Sequence, residues 1–267
     1  MILKGLGSTG IKIPEIGLGT WQYGGGVEPL RKGLSLGAFL IDTAEIYGTE
    51  GVVGEAVKGQ RDKVFIATKV SGTHLRHDDV LRAAENSLKK LGTDYIDLYQ
   101  IHWSNPRIPI KATMRAMETL VDRKILRLIG VSNFSVRELQ EARNSMDKYG
   151  IVSNQVEYNL MDREIEEGLL TFCEKSQITI LAYSPLARGR LTSKPMMRHR
   201  RAMGVLQEIA DETGKTMPQV ALNWCNAKPN VISIPKSDNV DRVVENCHAS
   251  GWRLSAEQMT TLNKAFG

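Results

Sequence analysis

Short apolar and β-branched runs alternate along this chain with longer stretches of helical period, and the alternation repeats eight times. That pattern narrows the fold sharply. A strand, a helix and a second strand in succession pack as a parallel βαβ unit, with helices covering the sheet. The strand candidates are Glu15 to Gly19, Ala38 to Asp42, Val64 to Lys69, Ile96 to Ile101, Leu128 to Ser132, Val152 to Glu157, Thr179 to Tyr183, and Val231 to Ile234. Most are nearly continuously apolar, as strands buried on both faces must be. After the third strand, Val80, Ala83, Ala84, Ser87, Leu88 and Leu91 fall three and four apart, the spacing of one helix face. Eight units within 267 residues match a single (β/α)8 TIM barrel of roughly 250 residues, so one domain over residues 1–267 is expected. A doubly wound sheet could also carry eight strands. Polar residues nevertheless cluster at the C-terminal ends of many strands, where barrel enzymes place their active face.

The segment Gly5-Leu6-Gly7-Ser8-Thr9-Gly10 matches the G-x-G-x-x-G dinucleotide fingerprint but not its context. The fingerprint needs a strand before it and a helix after it. Only four residues precede Gly5, and Ile11, Ile13 and Ile16 with Pro14 do not open a helix. An N-terminal β-hairpin, Ile2 to Leu6 and Ile11 to Pro14 with glycine at the turn, fits better and would cover the apolar bottom of the barrel.

Composition removes several other classes. Hydrophobic residues make up 42% and charged residues 24%, which supports a folded globular chain. No apolar run is long enough to cross a bilayer, and the first ten residues reach glycine and serine before a signal-peptide stretch could form, so a cytoplasmic protein without membrane contact is expected. Cys173, Cys225 and Cys247 are odd in number and far apart, and read as buried free thiols. The net charge of +5 raises the question of nucleic acid. The one basic cluster, Arg198-His199-Arg200-Arg201, lacks interleaved aromatics and reads as a solvated loop or helix start, so no nucleic-acid partner is expected.

Four residues of distinct chemistry stand near the ends of early strands: Asp42, Tyr47 in the following loop, Lys69 and His102. Each alone has an innocent reading as a turn cap, a half-buried aromatic, a snorkelling cation or a satisfied imidazole. Together they would converge on one rim of one barrel, and charges closing buried strands are costly unless paired or used. The set suits carbonyl reduction by a nicotinamide. Tyr47 would supply the proton, Lys69 would make that tyrosine more acidic, Asp42 would pair with Lys69, and His102 would hydrogen-bond and orient the carbonyl oxygen.

In order along nearly the whole chain, Gly17-Leu18-Gly19-Thr20-Trp21, Ile41-Asp42-Thr43-Ala44 with Tyr47-Gly48, Thr68-Lys69 and Ile101-His102-Trp103 resemble the signatures of the aldo-keto reductases. The similarity continues through Gly130-Val131-Ser132-Asn133-Phe134, Asn154-Gln155-Val156-Glu157-Tyr158, Ala182-Tyr183-Ser184-Pro185-Leu186, Ile234-Pro235-Lys236-Ser237, Arg242 and Glu245-Asn246. The resemblance implies a (β/α)8 barrel, a catalytic tetrad of Asp42, Tyr47, Lys69 and His102, no metal, and an extended nicotinamide cofactor, NADP(H), across the C-terminal rim. The implied cofactor contacts are Thr20, Trp21, Ser132, Asn133, Gln155, Tyr183, Ser184, Leu186, Ile234, Lys236, Ser237, Arg242, Glu245 and Asn246.

Physical chemistry supports several of these roles. Ser132, Asn133 and Gln155 carry side chains able to fix a carboxamide, whereas Tyr183 stacking on the nicotinamide ring rests on the resemblance. Ser184 and Leu186 after the seventh strand, with Lys236 and Ser237 after the eighth, lie where barrels commonly bind phosphate. Lys236, Ser237 and Arg242 suit a 2′-phosphate, which favours NADP over NAD; Asp238 or Ser237 would cap the helix starting near Asn239. Glu245 and Asn246 resemble the family's adenine contacts.

Trp21, Tyr23 and Trp103 are candidate walls for a small aldehyde or ketone substrate. The brief loop Ser104 to Pro109 leads us to expect an open, permissive pocket, and Leu186 to Arg201 is a candidate lid over the cofactor. Two other functions fit parts of the pattern: a non-catalytic nicotinamide-binding regulatory subunit resembling potassium-channel beta subunits, and a Schiff-base aldolase using Lys69.

Overall fold

The computed structural model describes residues 1–192 and 199–267. It opens with the expected hairpin, β1 (Leu3–Gly5) paired antiparallel with β2 (Lys12–Pro14). Gly7 turns it with φ +54, and a Cβ there would lie 3.0 Å from the carbonyl oxygens of Val152 and Gln177, so glycine is required on both counts. Leu6 and Ile13 are fully buried against Leu40, Phe65, Leu98, Val152, Leu181 and Ile232. The hairpin thus plugs one end of the molecule, each such side chain contributing roughly 1.5–3 kcal/mol.

Eight parallel strands follow in sequential order: β3 (Leu18–Gly19), β4 (Leu40–Asp42), β5 (Phe65–Val70), β6 (Ile96–Ile101), β7 (Leu126–Ser132), β8 (Ile151–Glu157), β9 (Thr179–Tyr183) and β10 (Val231–Ser233). The sheet curls until its first and last strands meet. Isolated parallel bridges join Ile16 to Ser233 and Gly19 to Lys236, and Gly17 and Gly19 donate to Ser233 O (2.8 Å) and Pro235 O (3.0 Å). Contact is so close that a Cβ on Gly19 would stand 2.7 Å from Ile234 O. The first strand is shorter than the sequence suggests because only these bridges continue it, and the last ends at Ser233 because Pro235 has no N–H for a ladder.

Helices α1 (Glu28–Ser35), α2 (Glu50–Val57), α3 (His77–Leu91), α4 (Ile110–Asp122), α5 (Val136–Asn144) and α6 (Leu169–Lys175) each follow one strand, β3 through β8. Among the described residues, two helices, α7 (Arg200–Thr213) and α8 (Met217–Asn226), lie between β9 and β10, and α9 (Val240–Cys247) and α10 (Ala256–Phe266) follow β10. Arg200 and Arg201 of the basic cluster open α7. All three cysteines are buried and unpaired with one another.

Residues two apart share a face of a strand, and climbing the early strands in steps of two passes from apolar to polar. Leu40 leads to Asp42, Phe65 and Ala67 to Lys69, and Leu98 to Gln100 and then His102, all buried. Oil therefore fills the hairpin end, while ionisable groups gather at the C-terminal ends of the strands.

Candidate active site

Asp42 ends β4, Lys69 lies one residue before the end of β5, and His102 directly follows β6, where its N–H donates to Val70 O at 2.9 Å. Tyr47 closes a short 3-10 turn, Glu45–Tyr47, that Gly48 leaves with φ +71. The Glu45 carboxylate fastens this turn to the loop after β5 by accepting the Ser71 N–H and meeting the His74 ring. The four side chains form one network. Lys69 Nζ donates to Asp42 Oδ2 (2.7 Å), Thr43 O (2.9 Å) and Tyr47 Oη (3.4 Å), and Tyr47 Oη lies 3.4 Å from His102 Nε2. The other Asp42 oxygen accepts from Gln155 (2.7 Å) and Gln100 (3.4 Å).

Burial and neighbouring charge act on three of the four groups. Lys69 is 0% exposed, so burial presses its ammonium below the ordinary value while Asp42 works the other way. His102 is pushed down to about 3, by burial first and then by Lys69, and its imidazole is neutral near pH 7. The Tyr47 phenol moves opposite to the sequence expectation: burial, then Asp42 and Tyr183, hold its pKa well above the usual tyrosine range. Burial is the largest cause, and the Asp42 and Tyr183 charges add to it. Tyr47 and His102 thus stand side by side as neutral hydrogen-bonding groups, backed by the buried Lys69–Asp42 pair. Lys69 is wholly buried behind the cleft surface with three hydrogen-bond partners, out of reach of a substrate carbonyl, which argues against the aldolase.

Above this floor opens a cleft of about 1210 Å³. Asp42, Tyr47 and His102 line it, as do all the residues expected at the cofactor and the two tryptophans, Trp21 and Trp103. Lys69 stands behind the surface. Tyr23 does not line the cleft: its hydroxyl turns back to Gly26 O at 2.7 Å, so it braces its own loop. Ile46, 53% exposed, joins Trp21 (47%) and Trp103 (37%) at the mouth. The sequence reading passed over Ile46 because an aliphatic residue in a loop carries no chemical signature.

Asn133 follows β7 with φ +60 and Ser184 follows β9 with φ +48, a conformation uncommon for non-glycine residues. Asn133 bridges the elements, donating to His102 O (3.0 Å) and accepting from the Tyr183 hydroxyl (3.0 Å). Tyr183 is half-buried, presenting part of its ring to the cleft. Lys236 and Arg242 bring positive charge to the lining, alongside Asp238 and Glu245. Neither Asp238 nor Ser237 caps α9: Asn239 does, accepting from Arg242 N at 3.0 Å, while Ser237 Oγ accepts the Asn239 N–H at 3.2 Å. Lys215, Thr216, Met217 and Pro218 at the start of α8 also line the cleft. Their signal was in the sequence, because Thr216 and Gln219 form a capping box that marks a helix start. Of the candidate lid Leu186 to Arg201, residues 193–198 lie outside the described residues, but Leu186, Arg188, Gly189 and Thr192 face the cleft.

The fit to a nicotinamide dinucleotide is chemical as well as spatial. Amide and hydroxyl groups, the half-buried Tyr183 ring and the cations Lys236 and Arg242 line one cleft with Asp42, Tyr47 and His102. Among the described residues no helix is long and apolar enough to cross a membrane.

Comparisons with known proteins agree with this geometry. The profile of the Aldo/keto reductase family matches residues 15–266. Methylglyoxal reductase YeaE of Escherichia coli (strain K12) is 36% identical over 266 residues, covering 96% of this chain and 92% of that protein. The thermostable aldo-keto reductase Tm1743, solved with the inhibitor epalrestat, superposes with a TM-score of 0.92 at 45% identity, covering 99% of this chain and 100% of that one. An aldo/keto reductase from Klebsiella pneumoniae, solved with NADP and acetate, gives a TM-score of 0.90 at 36% identity, with 97% and 94% coverage.

Proposed function

This chain belongs to the aldo/keto reductase family, and from that premise we propose that it is an NADPH-dependent reductase of small aldehydes and ketones, with Tyr47 as proton donor. The curled sheet is read as a closed, single-domain (β/α)8 barrel, since hydrogen bonds and bridges link its first and last strands. When bound, NADPH would supply the hydride for the carbonyl carbon. Everything else is done by the protein's side chains. Tyr47 gives its phenolic proton to the carbonyl oxygen as that oxygen gains charge, and His102 Nε2 holds the same oxygen in place. Lys69 steadies the phenolate left behind, and Asp42, Gln100 and Gln155 keep the ammonium tolerable out of water. On this reading Ser132, Asn133 and Gln155 hold the carboxamide, Tyr183 the ring, Thr20 and Trp21 the near end of the cofactor, and Ser184, Leu186 and Ile234 its middle; their lining of one cleft supports it. Lys236, Ser237 and Arg242 take the 2′-phosphate, with Glu245 and Asn246 at the adenine. Trp21, Ile46 and Trp103 form the mouth, whose apolar surface suits a short aldehyde or a dicarbonyl such as the one YeaE is named for.

The observation that carries this reading is the 3.4 Å approach of both Lys69 Nζ and His102 Nε2 to one hydroxyl on the cleft floor. Its test is consumption of NADPH with methylglyoxal and with a simple aromatic aldehyde, by the wild type and by Tyr47→Phe. Turnover should fall by at least about a thousandfold in the variant, a loss of the size general acid catalysis supplies, with NADPH affinity nearly unchanged. Turnover unimpaired in Tyr47→Phe would remove the proton-donor role, and a wild type that binds NADPH but reduces nothing would favour the regulatory reading.

A further inference from the structure

The cleft lining contains a carboxylate that the cofactor assignment leaves without a role. Asp238 Oδ2 is paired with Lys236 Nζ at 2.5 Å, while its Oδ1 accepts the N–H of Gly24 at 2.9 Å. One bond comes from its own loop after β10 and the other from the loop after β3. A side chain held this way cannot swing aside without giving up a partner. The loop is also pressed against it, since a Cβ on Gly25 would fall 2.8 Å from the Asp238 Cα. Both Asp238 and Lys236 line the cleft, as does Arg242.

We propose that Asp238 is a specificity-determining residue that disfavours the 2′-phosphate, so that the enzyme discriminates less between NADPH and NADH than its cations alone would make it. This rests on the placement of the 2′-phosphate at Lys236 and Arg242. A phosphate arriving there must share the Lys236 ammonium with a carboxylate already bonded to it, and the two anions repel at close range. NADH brings no 2′-phosphate and meets no such competition. Asp238 acts through Lys236 and through charge, not through contact with the reacting atoms.

Two substitutions separate this role from a purely mechanical one. Asp238→Asn removes the charge but keeps an oxygen able to accept the Gly24 N–H, whereas Asp238→Ala removes both. Dissociation constants for NADPH and NADH would be read by quenching of protein fluorescence in low and in high salt. In both variants the affinity ratio should move toward NADPH by on the order of five- to tenfold at low salt, mostly through tighter NADPH, and the shift should shrink at high salt. If Asp238 only straps the loops together, Asn would behave as wild type and Ala would weaken both nucleotides alike, which overturns the proposal. A wild type that binds both nucleotides, with an unchanged ratio in Asp238→Asn, overturns this inference alone. A wild type that binds neither nucleotide overturns the cofactor reading and this inference with it.

Discussion

Replacing Lys69 by Met tests whether the buried cation is there for the fold or for the reaction. The ammonium is wholly buried and has three acceptors, Asp42 at 2.7 Å, Thr43 O at 2.9 Å and Tyr47 at 3.4 Å. Met fills a similar volume but leaves the Asp42 carboxylate, 3% exposed, with only the amides of Gln155 and Gln100 as donors. Breaking one side of a buried pair costs about 3–5 kcal/mol. The cost comes from a charge left without its partner rather than from lost volume. Adding Asp42→Asn should restore most of the loss, since the neutral amide needs no counter-charge. Turnover should stay low in both variants, because neither retains a cation beside Tyr47. Urea denaturation at pH 7, paired with NADPH consumption, reads both quantities. A double variant as unstable as the single one would refute the stranded-charge argument and point to lost packing of the lysine stem.

His102 is held at about 3 against an ordinary 6.5, so between those values the unfolded chain binds more protons and stability falls as pH drops. Discounted for the ring edge that faces the cleft, the loss by pH 3 should be about 2–4 kcal/mol; His102→Gln should have a shallower acid limb in denaturation, and superimposable limbs would contradict the depressed pKa. Gly72→Ala would place a Cβ 2.1 Å from Trp103 Nε1, and the indole that packs on His102 at 4.5 Å must move. We expect a raised KM for the aldehyde with NADPH affinity nearly unchanged, and an unaltered KM would exclude Trp103 as a substrate wall. Arg242→Ala should weaken NADPH about tenfold more than NADH, and equal losses in the two titrations would remove it from the 2′-phosphate site.

What the sequence disclosed and what it hid divide along the line between strand and loop. Strand register is a local property: once Leu40 faces inward, Asp42 must, and the same step of two carries Leu98 to Gln100 and His102. Asp42, Lys69 and His102 were therefore legible from their places at strand ends and from the cost of a charge there, whereas Gln100, a neutral amide inside a strand, carried no such signal. Loop side chains obey contacts made from far along the chain. Tyr23 follows a strand end just as Trp21 does, yet it turns back to Gly26 while Trp21 faces the cleft. In Ser237-Asp238-Asn239 three good capping residues stand in a row, and intrinsic preference does not choose among them. The choice is made by Gly24, 214 residues away, whose N–H draws Asp238 off and leaves the cap to Asn239. Tyr47 shows the same limit: beside Lys69 a more acidic phenol is expected, yet burial first, and then the Asp42 and Tyr183 charges, push its pKa up. Chemical identity can be read from a sequence, but how deeply a group is buried and which charges face it are decided by packing.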